Sequence, residues 1–362
     1  MTFLEIDLKK LEFNYHSIRK RLKSHTKIIG VIKANAYGSA SGAIAEKLIS
    51  LGVEALAVAY ASEGIELRQL GIKAPILVFY PQVDCFKDII DHNLEPVLYS
   101  KRSWEKWVAE SRKTKKSIPP IHIKYNTGLN RIGFQPDEVH WVLEQLKNST
   151  FEVKSIYTHL GQTEYPKPDS VTSNQISLFE QIIEKHKAHS SRSVAYHLLN
   201  TSGLFNYPEH QMDWVRIGIG FYGYANRAEW NQSLKPIVTL KTHITQIHEL
   251  KSGDTVGYNS GWRASKNTRI AVLPLGHADG FSRQYGQGKG WVLIDGQRAP
   301  VVGNVCMDMV MVEIGDIACV EGSEVMILGE GIRADALAEA SGTISYELLT
   351  ALGKRIPRVI KQ

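Results

Sequence analysis

The sequence predicts a (β/α)8 barrel of the TIM type followed by a mostly β domain, and three observations carry the prediction. Short apolar runs alternate with amphipathic stretches over the first two-thirds of the chain, as parallel strands linked by crossover helices require. The apolar runs number eight. From about Leu234 the pattern changes to short alternating segments separated by turns that contain Gly and Asp.

The eight runs are IIGVIK (28–33), ALAVAY (55–60), PILVFY (75–80), EPVLYS (95–100), IHIKYN (121–126), VKSIYTHL (153–160), AYHLLN (195–200) and WVRIGIGFYG (214–223). Between them lie helical patterns such as GAIAEKLISLG, SWEKWVAESRK and NQISLFEQIIEKHK, several opened by Ser, Asn or Pro-Asp and closed by Gly or Asn. The later segments, among them TLKTHITQIHEL, RIAVLPLG, GWVLIDG and EVMILG, read as strands of a second domain. FLEIDL at the start also alternates and comes too early for the barrel, so it is expected to pair with that β domain. The resulting division is a barrel over 8–233 and a β domain over 234–362 that recruits residues 1–7.

Composition narrows the function. At 362 residues, 43% hydrophobic and 22% charged, the chain suits a soluble two-domain protein with a substantial core. Its net charge of +6 comes from scattered residues, apart from the run Arg112 to Lys116 on an amphipathic segment. Without a basic stripe interleaved with aromatics, nucleic acid is set aside as a partner, while small anionic ligands such as phosphates are favoured. Cys85, Cys306 and Cys319 are odd in number and lack C-x-x-C spacing, which argues against a disulfide framework or a structural zinc site. No metal is expected. MTFLEIDLKKLEF does not read as a signal peptide and no later segment reads as a membrane span, so a cytoplasmic protein is expected.

Active sites of such barrels lie at the C-terminal ends of the strands, where the βα loops converge. The polar residues there are Lys33 and Tyr37 after the first barrel strand, Lys124 and Arg131 around the fifth, and His159 after the sixth. His197, Asn200 and Thr201 follow the seventh, and Arg216, Gly218 and Ile219 lie on the eighth. Taken singly, Lys33 reads more readily as a lysine snorkelling from a strand end, and His159 as a core histidine. Gly218 alone would fit close strand packing equally well.

The stretch V-I-K-A-N-A-Y-G (31–38) resembles the cofactor-lysine motif of the alanine racemase family, and the similarity runs in order through the chain. It continues in H-I-K-Y-N-T-G-L-N-R-I-G (122–133), Y-T-H-L (157–160), H-L-L-N-T-S (197–202) and V-R-I-G-I-G-F-Y-G (215–223). In the second domain it includes V-G-Y (256–258), L-P-L-G-H-A-D-G (273–280) and R-A-P-V-V-G-N-V-C-M-D (298–308).

The resemblance implies a pyridoxal 5'-phosphate enzyme that interconverts L- and D-alanine, supplying D-alanine for peptidoglycan. It implies that Lys33 carries the cofactor as an aldimine and is one of two bases. Tyr258, delivered by the partner in a head-to-tail homodimer with shared sites, is the other. Two bases on opposite faces are what racemisation requires, because the Cα proton leaves one face and returns on the other. His159 is implied to link this tyrosine to Arg216, and Arg216 to face the pyridine nitrogen, where a group that rarely surrenders its proton leaves that nitrogen unprotonated. The phosphate is implied to rest on the amides of Gly218 and Ile219 with the hydroxyls of Tyr37 and Thr201, and Asn200 to orient them. Arg131 is implied to bind the substrate carboxylate, Lys124 to brace it as a carbamate, and Met307 and Asp308 to line the substrate side from the partner.

The chain departs from the family pattern in places. Ser39 and Ala40 stand where the motif usually continues His-Gly, and Asn126 stands where Asp is common. Thr201 replaces a frequent serine, and His277 replaces a tyrosine of the substrate entryway. Lys354 occupies a position where some relatives have a tyrosine that contacts the phosphate. A broad-specificity or serine racemase is therefore the first alternative. A fold-related decarboxylase is disfavoured by Arg216, and a non-catalytic cofactor carrier by the retention of Tyr258 and V-C-M-D.

Overall fold

The computed structural model describes residues 1–189 and 193–362. The first strand, β1 (Phe3–Asp7), is followed by eight barrel strands: β2 (Lys27–Val31), β3 (Ala55–Val58), β4 (Ile76–Val78), β5 (Glu95–Leu98), β6 (Ile121–Lys124), β7 (Val153–Tyr157), β8 (Ala195–His197) and β9 (Trp214–Ile217). Each coincides with one of the eight apolar runs, β2 beginning one residue before its run and the other seven lying within theirs. Neighbours from β2 to β8 pair in parallel, and β2 also pairs with β9. Between β8 and β9 the ring is joined by hydrogen bonds from the Asp213 amide to the Tyr196 carbonyl (3.1 Å) and from the Arg216 amide to the Leu199 carbonyl (3.0 Å). All four residues of β3 are buried, as expected of a strand covered on one face by helices and on the other by the barrel interior.

The helices are set by local chemistry. Asp7 opens Leu8–Arg19 by accepting from the Lys9 and Lys10 amides at 2.9 and 3.0 Å. Ser100 opens Lys101–Ser111, accepting from the Ser103 amide at 3.2 Å. That helix buries Trp104 and Trp107, which meet Phe151 and Phe86 edge-on with ring centroids 5.9 and 5.2 Å apart.

The barrel strands are shorter at their C-terminal ends than the apolar runs. Lys33 stands beyond β2 and opens a turn over Lys33–Gly38 in which Ala34, Asn35, Ala36 and Tyr37 all have φ between 50° and 54°. Likewise β9 stops at Ile217, and Ile219–Tyr222 forms a 3-10 turn. The apolar character of these segments comes from lining the barrel mouth, not from strand pairing.

The rest of the chain adds β10 (Val238–His243), β11 (Gln246–Leu250), β12 (Thr255–Val256), β13 (Trp262–Arg263), β14 (Thr268–Leu273), β15 (Trp291–Ile294), β16 (Gln297–Val302), β17 (Val310–Glu313), β18 (Glu324–Leu328) and β19 (Arg358–Lys361). A nine-stranded sheet has the order β11-β14-β17-β16-β15-β18-β10-β1-β19, and β12 pairs with β13 separately. The opening strand β1 does pair with this later sheet, antiparallel to β10 and parallel to β19. Two helices, Ala334–Ala340 and Ser345–Thr350, interrupt the β region. The second packs against the turn after Lys33, so closely that a side chain at Gly38 would collide with the Leu349 carbonyl.

Candidate active site

Lys33, Tyr37, Lys124, Arg131, His159 and Arg216 line one cavity of about 800 Å³ at the C-terminal mouth of the barrel. Asn200, Thr201, Gly218 and Ile219 line it as well. Five different βα junctions therefore converge, as the barrel geometry dictates.

Arg216 is the most constrained of these side chains. Its Nη2 donates to the carbonyls of Thr158 (2.8 Å) and Leu198 (3.0 Å) and to His159 Nδ1 (3.2 Å). Its Nη1 donates to His197 Nδ1 at 2.6 Å, and its guanidinium lies 4.9 Å from the centre of the Tyr157 ring. Burial lowers its pKa to about 10, against a favourable effect of Tyr157, so it stays charged at neutral pH. His159 and His197 are held well below the usual histidine range, first by burial and then by Arg216, and both are neutral. Since Arg216 can only donate, His159 accepts at Nδ1, and its proton sits on Nε2.

The lysines are equally shaped by burial. Lys33 has a lowered pKa, first because it is desolvated and then because Arg131 is near, with Glu63 opposing. Lys124, 5% exposed, is lowered further, to about 7, by burial and by the charges of Arg131, Arg216 and Lys33. Among the cavity-lining residues four cationic side chains face a single carboxylate, Glu164, which is itself engaged by Asn226 and Ser202.

At the other side of the cavity the backbone makes a cradle. Thr201 Oγ1 accepts from the amides of Gly218 and Gly220, both at 3.3 Å. A Cβ at Gly218 would lie 2.2 Å from the Tyr37 hydroxyl oxygen, so only glycine leaves room there. The amide of Ile219 opens the 3-10 turn, where first amides lack partners within the turn. Asn200 caps Thr201–Asn206, its Oδ1 accepting from the Gly203 amide (2.8 Å) and from Thr163 Oγ1 (3.2 Å). It shapes the cradle from outside.

Tyr346 is a cavity residue that the sequence reading did not find. Its ring is 5.9 Å from that of Tyr37, and its hydroxyl accepts from Asn226 Nδ2 at 3.0 Å. This corrects the expectation attached to Lys354: the tyrosine that reaches the cavity is Tyr346, on the helix Ser345–Thr350, and Lys354 is absent from the lining. The available signal was the helical pattern around Tyr346, obscured by reading the region as β.

Tyr258, Met307 and His277 do not line this cavity. They gather elsewhere, on an exposed part of the β domain. Tyr258 is 73% exposed and Met307 59%. The Tyr258 carbonyl accepts from Asn304 Nδ2 (3.2 Å), the Cys306 carbonyl accepts from the His277 amide (2.9 Å), and Met307 O accepts from the Ala278 amide (3.1 Å). Arg355 ties the two loops by pairing with Asp279 at 2.6 Å and Asp308 at 2.8 Å. Cys306 is partly buried beside a small apolar cluster of Val256, Ile270, Val302 and Met311.

Comparison with known proteins agrees with these geometries. The model of the alanine racemase N-terminal domain matches residues 6–226, and that of the C-terminal domain matches 237–360. "Alanine racemase 1" of Clostridium acetobutylicum is 36% identical over 98% of this chain and 94% of its own length. The alanine racemase of Clostridium kluyveri is 37% identical over 98% and 93%. Among solved structures, alanine racemase of Clostridium difficile 630 superimposes with a TM-score of 0.92 at 34% identity, covering 99% of this chain and 95% of that one. The Bacillus anthracis alanine racemase with bound L-Ala-P gives 0.92 at 28% identity, covering 100% and 95%. With both domain models matched in order and relatives covered almost end to end, the chain belongs to the alanine racemase family.

Proposed function

We propose that the protein interconverts L- and D-alanine with pyridoxal 5'-phosphate as cofactor, in a cytoplasmic homodimer whose sites are shared, and that its product supplies peptidoglycan synthesis. The observation that carries this reading is the convergence of Lys33, Arg216 and the Thr201–Gly218–Ile219 cradle in one cavity. The cavity fits a planar group with a phosphate tail, since it sets four basic side chains against one carboxylate and keeps a glycine where a Cβ would collide with Tyr37. Lys33 would attach the cofactor, Arg216 would meet its ring nitrogen, and the amides of Gly218 and Ile219 with the Tyr37 and Thr201 hydroxyls would hold the phosphate. When bound, the cofactor withdraws electrons from the substrate Cα and so acidifies its proton.

The residues then divide the proton work. Burial and Arg131 leave Lys33 less strongly protonated than a surface lysine, so its amine can take or return a proton on one face. Tyr258 of the partner subunit serves the other face. An ordinary tyrosine ionises near pH ~10. His159 lowers the barrier, because its Nδ1 is occupied by Arg216 and its Nε2–H is available to a phenolate oxygen. Arg131 binds the substrate carboxylate through its fork of donors. Lys124, with a pKa near 7, presents a neutral amine that can add to carbon dioxide. Its nitrogen bonds to the carbon, a proton is released, and the resulting carbamate gives Arg131 an anionic partner.

The exposure of Tyr258 and Met307 on a different domain from Lys33, with His277 and Asp308 on the same face, supports a site completed by a second copy. In this division 8–233 forms the barrel unit, and 234–362 with residues 1–7 forms the unit that faces the partner. No helix among the described residues is long and apolar enough to cross a membrane.

The test is racemisation of L-alanine by the purified chain, with and without added cofactor, in deuterated water, beside L-serine and L-lysine. Cofactor-dependent loss of optical rotation with deuterium entering Cα is expected for alanine. Faster turnover of serine or lysine would transfer the reading to a broader racemase gated by His277, and carbon dioxide release would replace it by a decarboxylase.

A further inference from the structure

Five consecutive barrel strands, β5 to β9, each send one polar side chain into the buried interior below the cavity, and these side chains form an unbroken line. Glu95 Oε2 is 2.9 Å from His122 Nε2, His122 Nδ1 is 2.7 Å from Ser155 Oγ, and Ser155 Oγ is 2.8 Å from His197 Nε2. His197 Nδ1 then receives Arg216 Nη1 at 2.6 Å. All five side chains are buried, Glu95 being the most accessible at 7%. The mechanism above uses only Arg216.

The ends of the line fix its direction. Arg216 has donors only, so His197 accepts at Nδ1 and carries its proton on Nε2. That proton goes to Ser155 Oγ, the Ser155 proton to His122 Nδ1, and the His122 Nε2 proton to the Glu95 carboxylate, which only accepts. Every donor has one acceptor, and no group is left unpaired. Trp214 and Tyr157 wall the line: the Tyr157 ring lies parallel to His197 at 4.7 Å, and Trp214 sits 6.3 Å from His122 and 5.7 Å from His197. Without an acceptor at position 95, the line can reverse. His122 would then donate from Nδ1 to Ser155 and Ser155 to His197 Nε2, which places the His197 proton on Nδ1, directly against the Arg216 donor.

We propose that Glu95 is a positioning residue for Arg216: its carboxylate terminates the line and keeps His197 an acceptor, which holds the guanidinium in the plane that faces the cavity. The inference rests on the reading of Arg216 as the partner of the cofactor ring, so its test must separate the two. Histidine tautomers, read by 15N NMR on the full chain without cofactor, report the line independently of any chemistry. In the wild type, His122 and His197 are expected as Nε2–H tautomers, and a His197 proton on Nδ1 overturns the proposal.

In Glu95→Leu a His197 population protonated on Nδ1 is expected, and in the loaded enzyme kcat falls about tenfold with KM within about twofold, the scale of one lost buried hydrogen bond. Glu95→Gln keeps an acceptor oxygen and is expected to restore both the tautomers and most of kcat. Wild-type tautomers in Glu95→Leu overturn the proposal, and so does an unchanged kcat. If Leu at position 95 prevents folding, Ser155→Ala interrupts the same line without added bulk; the same fall in kcat at steady KM is expected, and its absence is equally decisive. A wild type that orders these tautomers but binds no cofactor leaves the line standing and removes the reading of the site.

Discussion

The barrel mouth and the exposed face of the β domain, which the proposed function assigns to one chemistry, present their side chains under opposite conditions. At the mouth, Lys124 and Arg216 are buried and Lys33 is partly buried, all three have displaced pKa values, and Arg216 is fixed by four hydrogen bonds. On the β face, Tyr258 and Met307 are in solvent, and the charges nearby pair with one another across Arg355. Under the proposed function, the half that tunes charge is enclosed within the chain, and the half that would supply a second proton carrier is left open for a partner to enclose.

The strongest way to break this comparison is to damage one half at a time. Lys33→Ala is expected to abolish racemisation and retention of the cofactor through gel filtration. Tyr258→Phe is expected to lower kcat by about a hundredfold to ten-thousandfold, the range of a lost acid-base group, with the cofactor's visible absorption retained. Lys33→Ala alone is inactive and Tyr258→Phe alone keeps about a hundredth of wild-type activity or less, yet mixing them in equal amounts is expected to restore about a quarter. Half of randomly assembled dimers are mixed, and each of those has one of its two sites intact. Failure of the mixture to recover activity while mixed dimers form would place both groups in one chain.

A smaller effect concerns the barrel mouth alone. Arg131→Gln is expected to raise KM for alanine about tenfold to a hundredfold with a lesser change in kcat, as loss of a charge-assisted bond to a carboxylate would. An unchanged KM would remove Arg131 from substrate binding.

The smallest expected effect is on stability. Lys124 has a pKa of about 7 in the folded protein and near its ordinary 10.5 when unfolded. Between those values the unfolded chain holds a proton that the folded chain lacks, so stability rises with pH across that window; below 7 both states are protonated and the penalty is complete. In cofactor-free, carbon-dioxide-free buffer, denaturant midpoints of wild type relative to Lys124→Met are expected to climb from pH 7 towards 10.5. Added bicarbonate near pH 8 should narrow the difference, and a flat profile would show that the lysine is not desolvated.

The legibility of the molecule in its sequence follows the same division. The eight barrel strands are readable because a strand covered on both faces is a continuous apolar run, and the runs at Ala55–Val58 and Ile76–Val78 are of that kind. The residues at their ends, from Lys33 to Ile219, are readable by position once the strands are counted. Strand length is not readable, because residues lining the mouth, such as those at 219–222, are as apolar as those in the ladder. Tyr346 escaped notice because its helix is a short insertion in a β region, and nothing local says that it reaches across to Tyr37. The line from Glu95 to His197 joins residues 27 to 42 positions apart on successive strands, so its members look like unrelated polar residues until those strands lie side by side. Asn35 is the lone local sign of the left-handed turn, since Asn tolerates such φ values better than Ala or Tyr.

That turn carries a consequence for how the two ends of the chain depend on each other. Four successive non-glycine residues in the left-handed region cost roughly 1–2 kcal/mol each, so the turn relaxes unless something holds it. Glu63 accepts from the Ala34 amide at 2.5 Å, but the carbonyls of Gly38 and Ser39 are gripped by Arg358, at 3.0 and 3.3 Å. Arg358 also binds the carbonyls of Leu352, Gly353 and Ile356. Lys33 is therefore set by a residue translated more than three hundred positions later. The placement of the Lys33 turn thus depends on both ends of the sequence, since the strand that carries Arg358 is the one that pairs with β1.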